Sequence, residues 1–405
     1  MTRRVSNRSQ CLIYISVFTW LGVTGCYQLP EMGDVNWLAT LPQSSAKPIQ
    51  VPDGILFGQN DHELALLHDD GDVTSAFISV AEGNRIGALY TNNTGDILVT
   101  EVLSSLNPIF HRYTPTGAEV WMLTLPQDVS VARILPLDDG DTILFINLIA
   151  GVDETTVGGV VVDGSFTMLW VDGNGDISWV RPMPDVPIAP SFTAGPDGRI
   201  LVTAGDSLMV LDGDGNELWS YQYNEFMQTN EKFVFLDDGG QVLCGENELT
   251  VLEPDGQLRW RRAERCDCVV ATPDGVVIGR QEHVQGGAFS GYLQRFSATG
   301  DLLWTSDVLG DGVERVIRSG DDFIAQVYSF LPALPARRRN QMVRVRGTGE
   351  LIVENPVRLP DDTHVVRTGV DSLVLVGLFE DYYDYGTGEI SMDGYHRVAM
   401  SINLH

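Results

Sequence analysis

The chain has 405 residues, with 55 acidic residues against 26 Lys and Arg, so its formal net charge is −29 at pH 7. Proteins that bind nucleic acid neutralise phosphates with Lys and Arg. We therefore expect no nucleic-acid partner.

The first 26 residues are organised as a lipoprotein export signal. Three arginines precede an apolar run from Cys11 to Val23 that is short for a membrane span. The run ends in Val23-Thr24-Gly25-Cys26, which resembles the bacterial lipobox and implies cleavage before Cys26 and lipidation of that cysteine. We predict a signal peptide over 1–25 and a lipid-anchored tether over 26–32, with an ordinary secretory signal as the alternative.

A turn followed by a tryptophan recurs along the rest of the chain. In Asp212-Gly-Asp-Gly-Asn-Glu-Leu-Trp219, Gly215 precedes the tryptophan by four residues. The same spacing is found at Gly117/Trp121, Gly175/Trp179, Gly256/Trp260 and Gly300/Trp304. Repeats of roughly 40 to 50 residues are typical of propellers or helical arrays. We interpret the phrase as a blade signature, with the tryptophans packed between successive blades.

The strand pattern within each repeat favours a propeller. Turns such as Asp197-Gly198 and Asp274-Gly275 separate β-rich runs, and we count eight second strands and eight third strands. The last third strand, Arg397–Ile402, has no tryptophan strand after it, whereas Gly33–Pro42 resembles such a strand standing alone.

If these two segments pair, the sheet has no open edge. We therefore predict an all-β fold over residues 33–405. It is a single eight-bladed β-propeller of four-stranded antiparallel blades, closed by the N-terminal strand, with seven blades as the alternative.

Four insertions interrupt the repeats, each between a second and a third strand. They are Leu148–Ser165, Glu282–Ser290, Ser329–Asn340 and Phe379–His396. Equivalent hairpins of a propeller open onto one face, and insertions there often mark the binding face. Arginine and tyrosine dominate interface hot spots. The candidate partner-binding residues are therefore Arg337, Arg338, Arg339, Tyr382, Tyr383 and Tyr385.

Cysteines and histidines show no metal-binding or catalytic spacing. The predicted exported part of the chain has an odd number of cysteines after Cys26, namely Cys244, Cys266 and Cys268. We interpret them as structural, and a disulfide from Cys244 to one of the other two is one possibility. We interpret each of the seven histidines as a lone surface residue.

Two acidic turns resemble the first half of an EF-hand loop. The segments that begin at Asp212 and Asp172 place oxygen ligands at alternate positions, but the twelfth position holds Tyr223 or Met183 instead of Glu. Turn chemistry explains both segments, and we expect no metal there.

The repeat resembles the PQQ-like (quinoprotein-type) propellers over nearly the whole mature chain. In the quinone-dependent dehydrogenases of this type, two adjacent cysteines lie over the cofactor. Here Cys266 and Cys268 are separated by Asp267. Size, lipobox, tether and repeats also resemble the lipid-anchored propeller of the outer-membrane β-barrel assembly machinery, and Tyr27 after the lipobox implies sorting to the outer membrane.

These resemblances imply a non-catalytic, monomeric scaffold anchored to the outer membrane, on its periplasmic side or at the cell surface. We expect it to bind a protein or peptide of the cell envelope through a loop-rich rim, with no cofactor, no metal and no catalytic residue. The alternatives are a PQQ- or metal-dependent oxidoreductase and a carbohydrate-binding propeller.

Overall fold

A computed structural model of the chain shows an all-β protein whose described residues form 36 strands and no α-helix. The described residues are 35–41, 49–68, 73–80, 84–92, 94–103, 107–137, 139–149, 151–163, 166–183, 191–195, 198–204, 207–222, 233–245, 247–283, 289–331, 334–352, 357–359, 364–367, 372–379, 382–384, 389–391 and 396–403. None of these residues belongs to a helix long and apolar enough to cross a membrane.

The chain divides into two compact units, one of Met1–Asp185 with Pro360–His405 and one of Val186–Leu359. The first unit begins with β1 (Val35–Leu41) and continues with sheets 1 to 3. Sheet 1 has β2 (Ile49–Val51), β3 (Gly54–Gly58), β4 (Glu63–His68) and β5 (Val73–Ser79); sheet 2 has β6 (Asn84–Thr91), β7 (Ile97–Leu103), β8 (Pro108–Tyr113) and β9 (Glu119–Thr124). Sheet 3 has β10 (Val129–Pro136), β11 (Thr142–Leu148), β14 (Thr167–Val171) and β15 (Ile177–Pro182), with the hairpin of β12 (Thr155–Val157) and β13 (Val160–Val162) inserted after β11.

The second unit contains sheets 4 to 7. Sheet 4 has β16 (Ser191–Ala194), β17 (Ile200–Ala204), β18 (Ser207–Leu211) and β19 (Glu217–Gln222); sheet 5 has β20 (Phe233–Phe235), β21 (Gln241–Cys244), β22 (Leu249–Leu252) and β23 (Leu258–Arg262). Sheet 6 has β24 (Cys268–Thr272), β25 (Gly275–His283), β26 (Phe289–Ser297) and β27 (Leu302–Thr305); sheet 7 has β28 (Gly312–Ser319), β29 (Asp322–Leu331), β30 (Leu334–Val345) and β31 (Val357–Leu359).

The remaining strands return to the first unit. They are β32 (His364–Arg367), β33 (Ser372–Phe379), the hairpin of β34 (Tyr382–Asp384) and β35 (Glu389–Ser391), and β36 (His396–Asn403). Sheet 8 has the order β1-β36-β33-β32. In it β1 pairs antiparallel with β36, from Leu41 opposite Arg397 to Val35 opposite Ile402. The predicted pairing partner of the N-terminal strand is therefore the one observed.

In sheets 1 to 6, the second and third strands are more buried than the fourth strand. In β11 the residues Thr142–Ile146 are all buried, because apolar side chains cover both faces of that strand. In β19 no residue is fully buried. The second and third strands are therefore continuous apolar runs, whereas the fourth strand contains both apolar and polar residues.

Neighbouring sheets share their cores. One cluster, which includes Leu98, Phe110 and Leu144, joins sheets 2 and 3, and others join sheets 1 and 2, 4 and 5, 5 and 6, and 6 and 7. Each of these clusters lies within one unit. A disulfide also links Cys244 of β21 to Cys266, two residues before β24, while Cys268 is buried and not part of this bond.

The turn before each repeat tryptophan is a local structure. Gly215 has a φ of 77°, its N–H donates to the carbonyl of Asp212 at 3.0 Å, and Asp212 N–H donates to the carbonyl of Asn216 at 2.9 Å. The Asp212 carboxylate accepts the backbone N–H groups of Asp214 and Asn216 at 3.0 and 2.8 Å. This is a tight turn with a left-handed glycine and a bulge, which explains the Asp and Gly of the motif.

Asp172 is built into the equivalent turn of sheet 3. Its carboxylate accepts the backbone N–H groups of Asp176 and Asn174, and these hydrogen bonds lower the pKa of Asp172. In both acidic segments, the first aspartate therefore accepts backbone N–H groups of its own turn. Among the described residues, no three His, Cys, Asp or Glu side chains are grouped as metal ligands.

The tryptophans pack between sheets, as predicted. In each case, the ring lies against the turn glycine of the following sheet. The described pairs are Trp121 with Gly175, Trp219 with Gly256, Trp260 with Gly300, and Trp304 with Gly349.

Candidate functional site

The insertions lie between the second and third strands of sheets 3, 6, 7 and 8, as expected, but they differ in form. The first contains the hairpin of β12 and β13, which folds back against its own sheet. Val157 and Val162 are buried in the core shared by sheets 2 and 3. At the hairpin tip, a Cβ on Gly158 would lie 3.0 Å from a methyl group of Ile177, the first residue of β15. This insertion therefore covers an outer strand and does not form an open rim loop.

The second and third insertions are long hairpins. In sheet 6 the ladder of β25 and β26 continues to His283 opposite Phe289. In sheet 7 the ladder of β29 and β30 continues to Phe330 opposite Arg338. Most of the residues expected in loops are therefore strand residues, because the backbone groups of each insertion pair with one another.

The arginine triplet lies in the third of these insertions. Arg337, Arg338 and Arg339 are consecutive residues of β30, and Arg339 is opposite Ser329. The triplet is therefore carried on an extended strand near the end of sheet 7. The expectation that these arginines belong to a loop is wrong, while their role as a partner contact stays a prediction.

The tyrosine run lies in the fourth insertion, in the other unit. Tyr382 and Tyr383 belong to β34, where Tyr383 pairs with Ile390. Tyr385 and the lipidation candidate Cys26 lie outside the described residues. The structure thus places the triplet on a hairpin of the second unit and Tyr382 and Tyr383 on a hairpin of the first unit.

A polar contact ties the two long hairpins of the second unit together. Gln281 of β25 donates its amide N–H to the hydroxyl of Tyr328 on β29 at 3.1 Å and to the carbonyl of Asp311 at 3.0 Å. The Asp311 carboxylate accepts the backbone N–H of Phe330 at 2.5 Å. Sheets 6 and 7 are therefore held in one geometry close to the arginine-bearing strand.

A second set of side chains orders the hairpin of sheet 6. Tyr292 donates its hydroxyl to the carboxylate of Glu282 at 2.7 Å, and the Arg280 guanidinium lies over the Tyr292 ring at 5.6 Å. Arg280 also pairs with Glu264. Burial, together with the hydrogen bond to Glu282, raises the pKa of Tyr292 to about 12. At neutral pH this tyrosine keeps its proton, so the group orders the hairpin as a hydrogen-bond donor.

One histidine contradicts the surface interpretation. His111 is buried, with Nε2 2.7 Å from Glu101 and Nδ1 3.2 Å from Glu119. Asn84 donates to the other oxygen of Glu101. Both ring nitrogens therefore face carboxyl groups, one on each neighbouring strand of sheet 2.

The sequence signal for this buried position is alternation. His111 lies two residues from Ile109 and from Tyr113 on β8. Burial raises the pKa of Tyr113 to about 12, and the nearby Glu119 and Glu101 add to that shift. Alternate strand residues share a face. The histidine cluster joins the four strands of sheet 2, since Asn84, Glu101, His111 and Glu119 lie on β6, β7, β8 and β9 in turn.

Two clefts lie at the turn ends of the sheets of the second unit, opposite the hairpins. One, of about 550 Å³, lies between sheets 6 and 7 and is lined by arginines and aspartates. The other, of about 300 Å³, lies between sheets 5 and 6. The sequence reasoning missed both clefts, since their lining comes from turns that are regular in every repeat.

Comparisons with known proteins support the fold. The family model described as "Outer membrane protein assembly factor BamB" matches residues 112–320, just over half of the chain. No curated protein matches the sequence.

Among solved structures, BamB from Moraxella catarrhalis is 13% identical, with a TM-score of 0.51 over 91% of this chain and 99% of that chain. The C-terminal WD40 domain of Sif2 is 10% identical, with a TM-score of 0.54 over 92% of this chain and 97% of that one. Sqt1 of Chaetomium thermophilum is 11% identical, with a TM-score of 0.50 over 88% and 94%. At these identities the likeness shows the fold alone, a β-propeller.

Proposed function

The chain belongs to the family of the outer membrane protein assembly factor BamB, and we propose on that basis that it is a non-catalytic, lipid-anchored scaffold of the cell envelope. It binds a protein or peptide partner through the hairpin ends of its sheets. The observation that carries the proposal is the family match together with the two long, mutually braced hairpins of sheets 6 and 7.

The length of these hairpins supports a contact surface. β29 has 10 residues, whereas the corresponding strand of sheet 5, β21, has 4. At about 3.3 Å per residue, the difference corresponds to roughly 20 Å of additional hairpin. Sheet 5 shares its core with sheets 4 and 6 without this extra length. The bracing by Gln281 and Tyr328 reduces the ordering cost on binding.

The contact residues that we propose are Arg337, Arg338, Arg339, Tyr382, Tyr383 and Tyr385. Arginine offers five N–H donors to an acidic partner, and tyrosine combines a large apolar ring with a hydroxyl. Photo-crosslinking in intact cells, with the reactive residue at Arg338, should capture a partner. The same residue at Thr299, in a turn at the other end of sheet 6, is the control.

Charge reversal tests the arginine triplet itself. Arg337→Glu, Arg338→Glu and Arg339→Glu together should reduce partner recovery from envelope extracts, while Arg85→Glu, at an exposed pair with Asp61, should not. Equal recovery from the triple variant and the wild type would remove the triplet from the interface. Activity with PQQ, calcium and an artificial electron acceptor would replace the scaffold proposal by the oxidoreductase alternative.

We further propose that the eight four-stranded sheets are the blades of one ring over residues 33–405, closed by β1. The support is the pairing of β1 with β36 in sheet 8. Deleting residues up to Pro42 opens that sheet edge and should lower Tm by far more than a deletion that ends at Met32 and keeps β1. Equal Tm values for the two deletions would contradict ring closure.

The lipid anchor has its own test. Cys26→Ser should move the protein from the membrane fraction to the soluble fraction, whereas Cys11→Ser, within the apolar run of the signal, should leave it with the membranes. Membrane retention of the Cys26→Ser variant would contradict the anchor.

A further inference from the structure

We propose that the outer edge of β30, the side of that strand on which β31 pairs, accepts an extended acidic segment of the partner protein as an additional strand. This mode of binding rests on the scaffold role proposed above and concerns the hairpin that carries the arginine triplet. Two features of sheet 7 support it, namely the backbone pairing of β30 and the charge of its hairpin.

The outer neighbour of β30 is much shorter than β30 itself. β30 has 12 residues, whereas β31 has 3 and pairs with β30 from Asn340 to Met342. Among the described residues, none pairs with β30 on this side before Asn340. The end of β30 that carries the triplet is therefore an edge of the described sheet.

The backbone of Arg338 is directed to this edge. From Arg338 to Val345, β30 is in continuous antiparallel register with β29, and in such a strand alternate residues direct both N–H and C=O to the same side. Arg344 directs its carbonyl away from β29, since that carbonyl accepts the N–H of Ile352 at 2.9 Å. Arg338 lies an even number of residues earlier, so its N–H and C=O also point away from β29. They are a donor and an acceptor that an added strand pairs with.

The strand behind this edge is held in place. Phe330 of β29 is opposite Arg338, and its N–H donates to the carboxylate of Asp311 at 2.5 Å. Tyr328, two residues earlier on β29, accepts the amide N–H of Gln281 at 3.1 Å. A braced edge loses less conformational entropy when another strand adds to it.

The insertion that carries this edge is the basic one of the four. Ser329–Asn340 contains three arginines and no acidic residue, whereas the other three insertions contain three, one and five acidic residues and no Lys or Arg. The longer stretch 323–349 has five arginines and no Asp or Glu, in a chain with a net charge of −29. A positive segment attracts anionic groups that the rest of the protein repels. The charge of a complementary segment is therefore negative.

An extended polypeptide with alternating acidic residues fits both features. Its main chain donates to the carbonyl of Arg338 and accepts from the N–H of that residue, and its carboxylates complement the arginines, which bind carboxylates through parallel N–H donors. The same arginines disfavour basic strands at the open edge. A lipid headgroup satisfies the charge but does not continue the ladder of backbone hydrogen bonds.

Fluorescence anisotropy with a fluorescein-labelled peptide of alternating Glu and Val tests this mode at low ionic strength. We expect saturable binding to the wild type. The same peptide with every peptide nitrogen methylated keeps its charge and loses its N–H donors, and a peptide of alternating Gln and Val keeps the donors and loses the charge. Both should bind about tenfold more weakly or worse. Absence of binding by the unmodified peptide, or equal binding by the methylated one, would overturn strand addition.

Two substitutions separate the backbone of Arg338 from its charge. Arg338→Gln removes the charge and keeps the N–H, whereas Arg338→Pro removes both, and proline is tolerated where a strand N–H faces an open edge. We expect about fivefold weaker binding to Arg338→Pro than to Arg338→Gln, the effect of one hydrogen bond. Similar Tm values check that both variants fold, and equal affinities would contradict the proposal. If the proline variant does not fold, the methylated peptide with the wild type still decides.

Vesicles of phosphatidylglycerol provide the control for a lipid surface. They should displace the Glu–Val peptide poorly, and complete displacement would assign the basic insertion to lipid headgroups instead. Photo-crosslinking of a partner at Arg338 is measured separately. A partner captured there, together with equal binding of the methylated and unmodified peptides, would leave the scaffold role standing and remove strand addition alone.

Discussion

The indole of Trp219 lies over Gly256, so closely that a Cβ added to the glycine would be 2.6 Å from Cδ2 of the ring. Trp219 donates its Nε1–H to the carbonyl of Pro254, two residues before that glycine, at 3.0 Å. Gly300 with Trp260 and Gly349 with Trp304 repeat this contact. The motif thus acts between sheets, with the tryptophan of one copy meeting the glycine of the next.

Gly256→Ala should destabilise the protein through this contact. The glycine has a φ of 85°, which already disfavours a side chain. Gly198→Ala is the matched control, since Gly198 has a φ of 70° and nothing within 4 Å of an added Cβ. We expect a loss of about 1 kcal/mol in the free energy of unfolding for Gly198→Ala and about 3 kcal/mol for Gly256→Ala. Urea unfolding measures the free energy of unfolding of both variants. Equal losses would show that the indole of Trp219 moves away from the added methyl group at no cost.

Trp304→Phe and Trp121→Phe should differ. Trp304 donates its Nε1–H to the carbonyl of Gly347 at 2.7 Å, whereas Trp121 Nε1 is buried and finds no acceptor among the described residues. The equivalent carbonyl in sheet 3, that of Gly173, accepts Arg112 at 2.9 Å instead. Both changes remove similar apolar area, so Trp304→Phe should cost about 1 kcal/mol more than Trp121→Phe. A smaller cost for Trp304→Phe in thermal or urea unfolding would contradict this assignment.

The disulfide should make stability depend on reductant. Cys244 and Cys266 are separated by 22 residues, and closing a loop of this size stabilises a fold by about 3 kcal/mol in the chain-entropy model. Wild type and Cys268→Ala should both lose stability when a reductant is added. Cys244→Ala, Cys266→Ala should be less stable and insensitive to reductant. Loss of the reductant effect in Cys268→Ala would show that Cys268 takes part in the bond.

Two aspartates should respond oppositely to pH. Hydrogen bonding from Arg295 lowers the pKa of Asp274, so its stabilising contribution is present above the unfolded pKa of about 3.9 and is lost as the pH falls through its lower folded pKa. Desolvation raises the pKa of Asp141, although Trp170 donates to it at 2.7 Å. Its contribution is therefore present in acid and lost as the pH rises through the raised folded pKa.

Accordingly, at neutral pH, Asp274→Asn should be less stable than the wild type and Asp141→Asn more stable, because Asn keeps an oxygen for Trp170. The Asp141 difference should shrink as the pH falls through the raised folded pKa of that group, and the Asp274 difference should shrink only at lower pH, as its lowered folded pKa is reached. Urea unfolding across this range checks the signs. A difference that stays constant with pH would show that the substitution acts through packing and not through charge.

The sequence by itself determined the repeat, the turns and the strand order. The turn at Asp212–Asn216 closes within five residues, so its Asp and Gly are readable without any distant contact. The order of second, third and fourth strands follows from the repeat and from these turns, and the third strands lie where the pattern predicts them. The solitary tryptophan strand at Val35–Leu41 was recognisable for the same reason, by comparison with its own copies.

Tertiary structure decided what the insertions and the charges do. Whether an insertion extends its strands, as at Phe330 and Arg338, or folds back, as at Gly158 and Ile177, depends on the surface it meets. The pairing of His111 with Glu101 and Glu119 depends on how β7, β8 and β9 lie side by side. The meeting of Arg295 with Gly347, 52 residues apart, depends on how one sheet is set against the next. The hydrogen bonds of a turn depend on residues that are neighbours in the sequence. Burial and ion pairing depend on groups that only the packed sheets bring together.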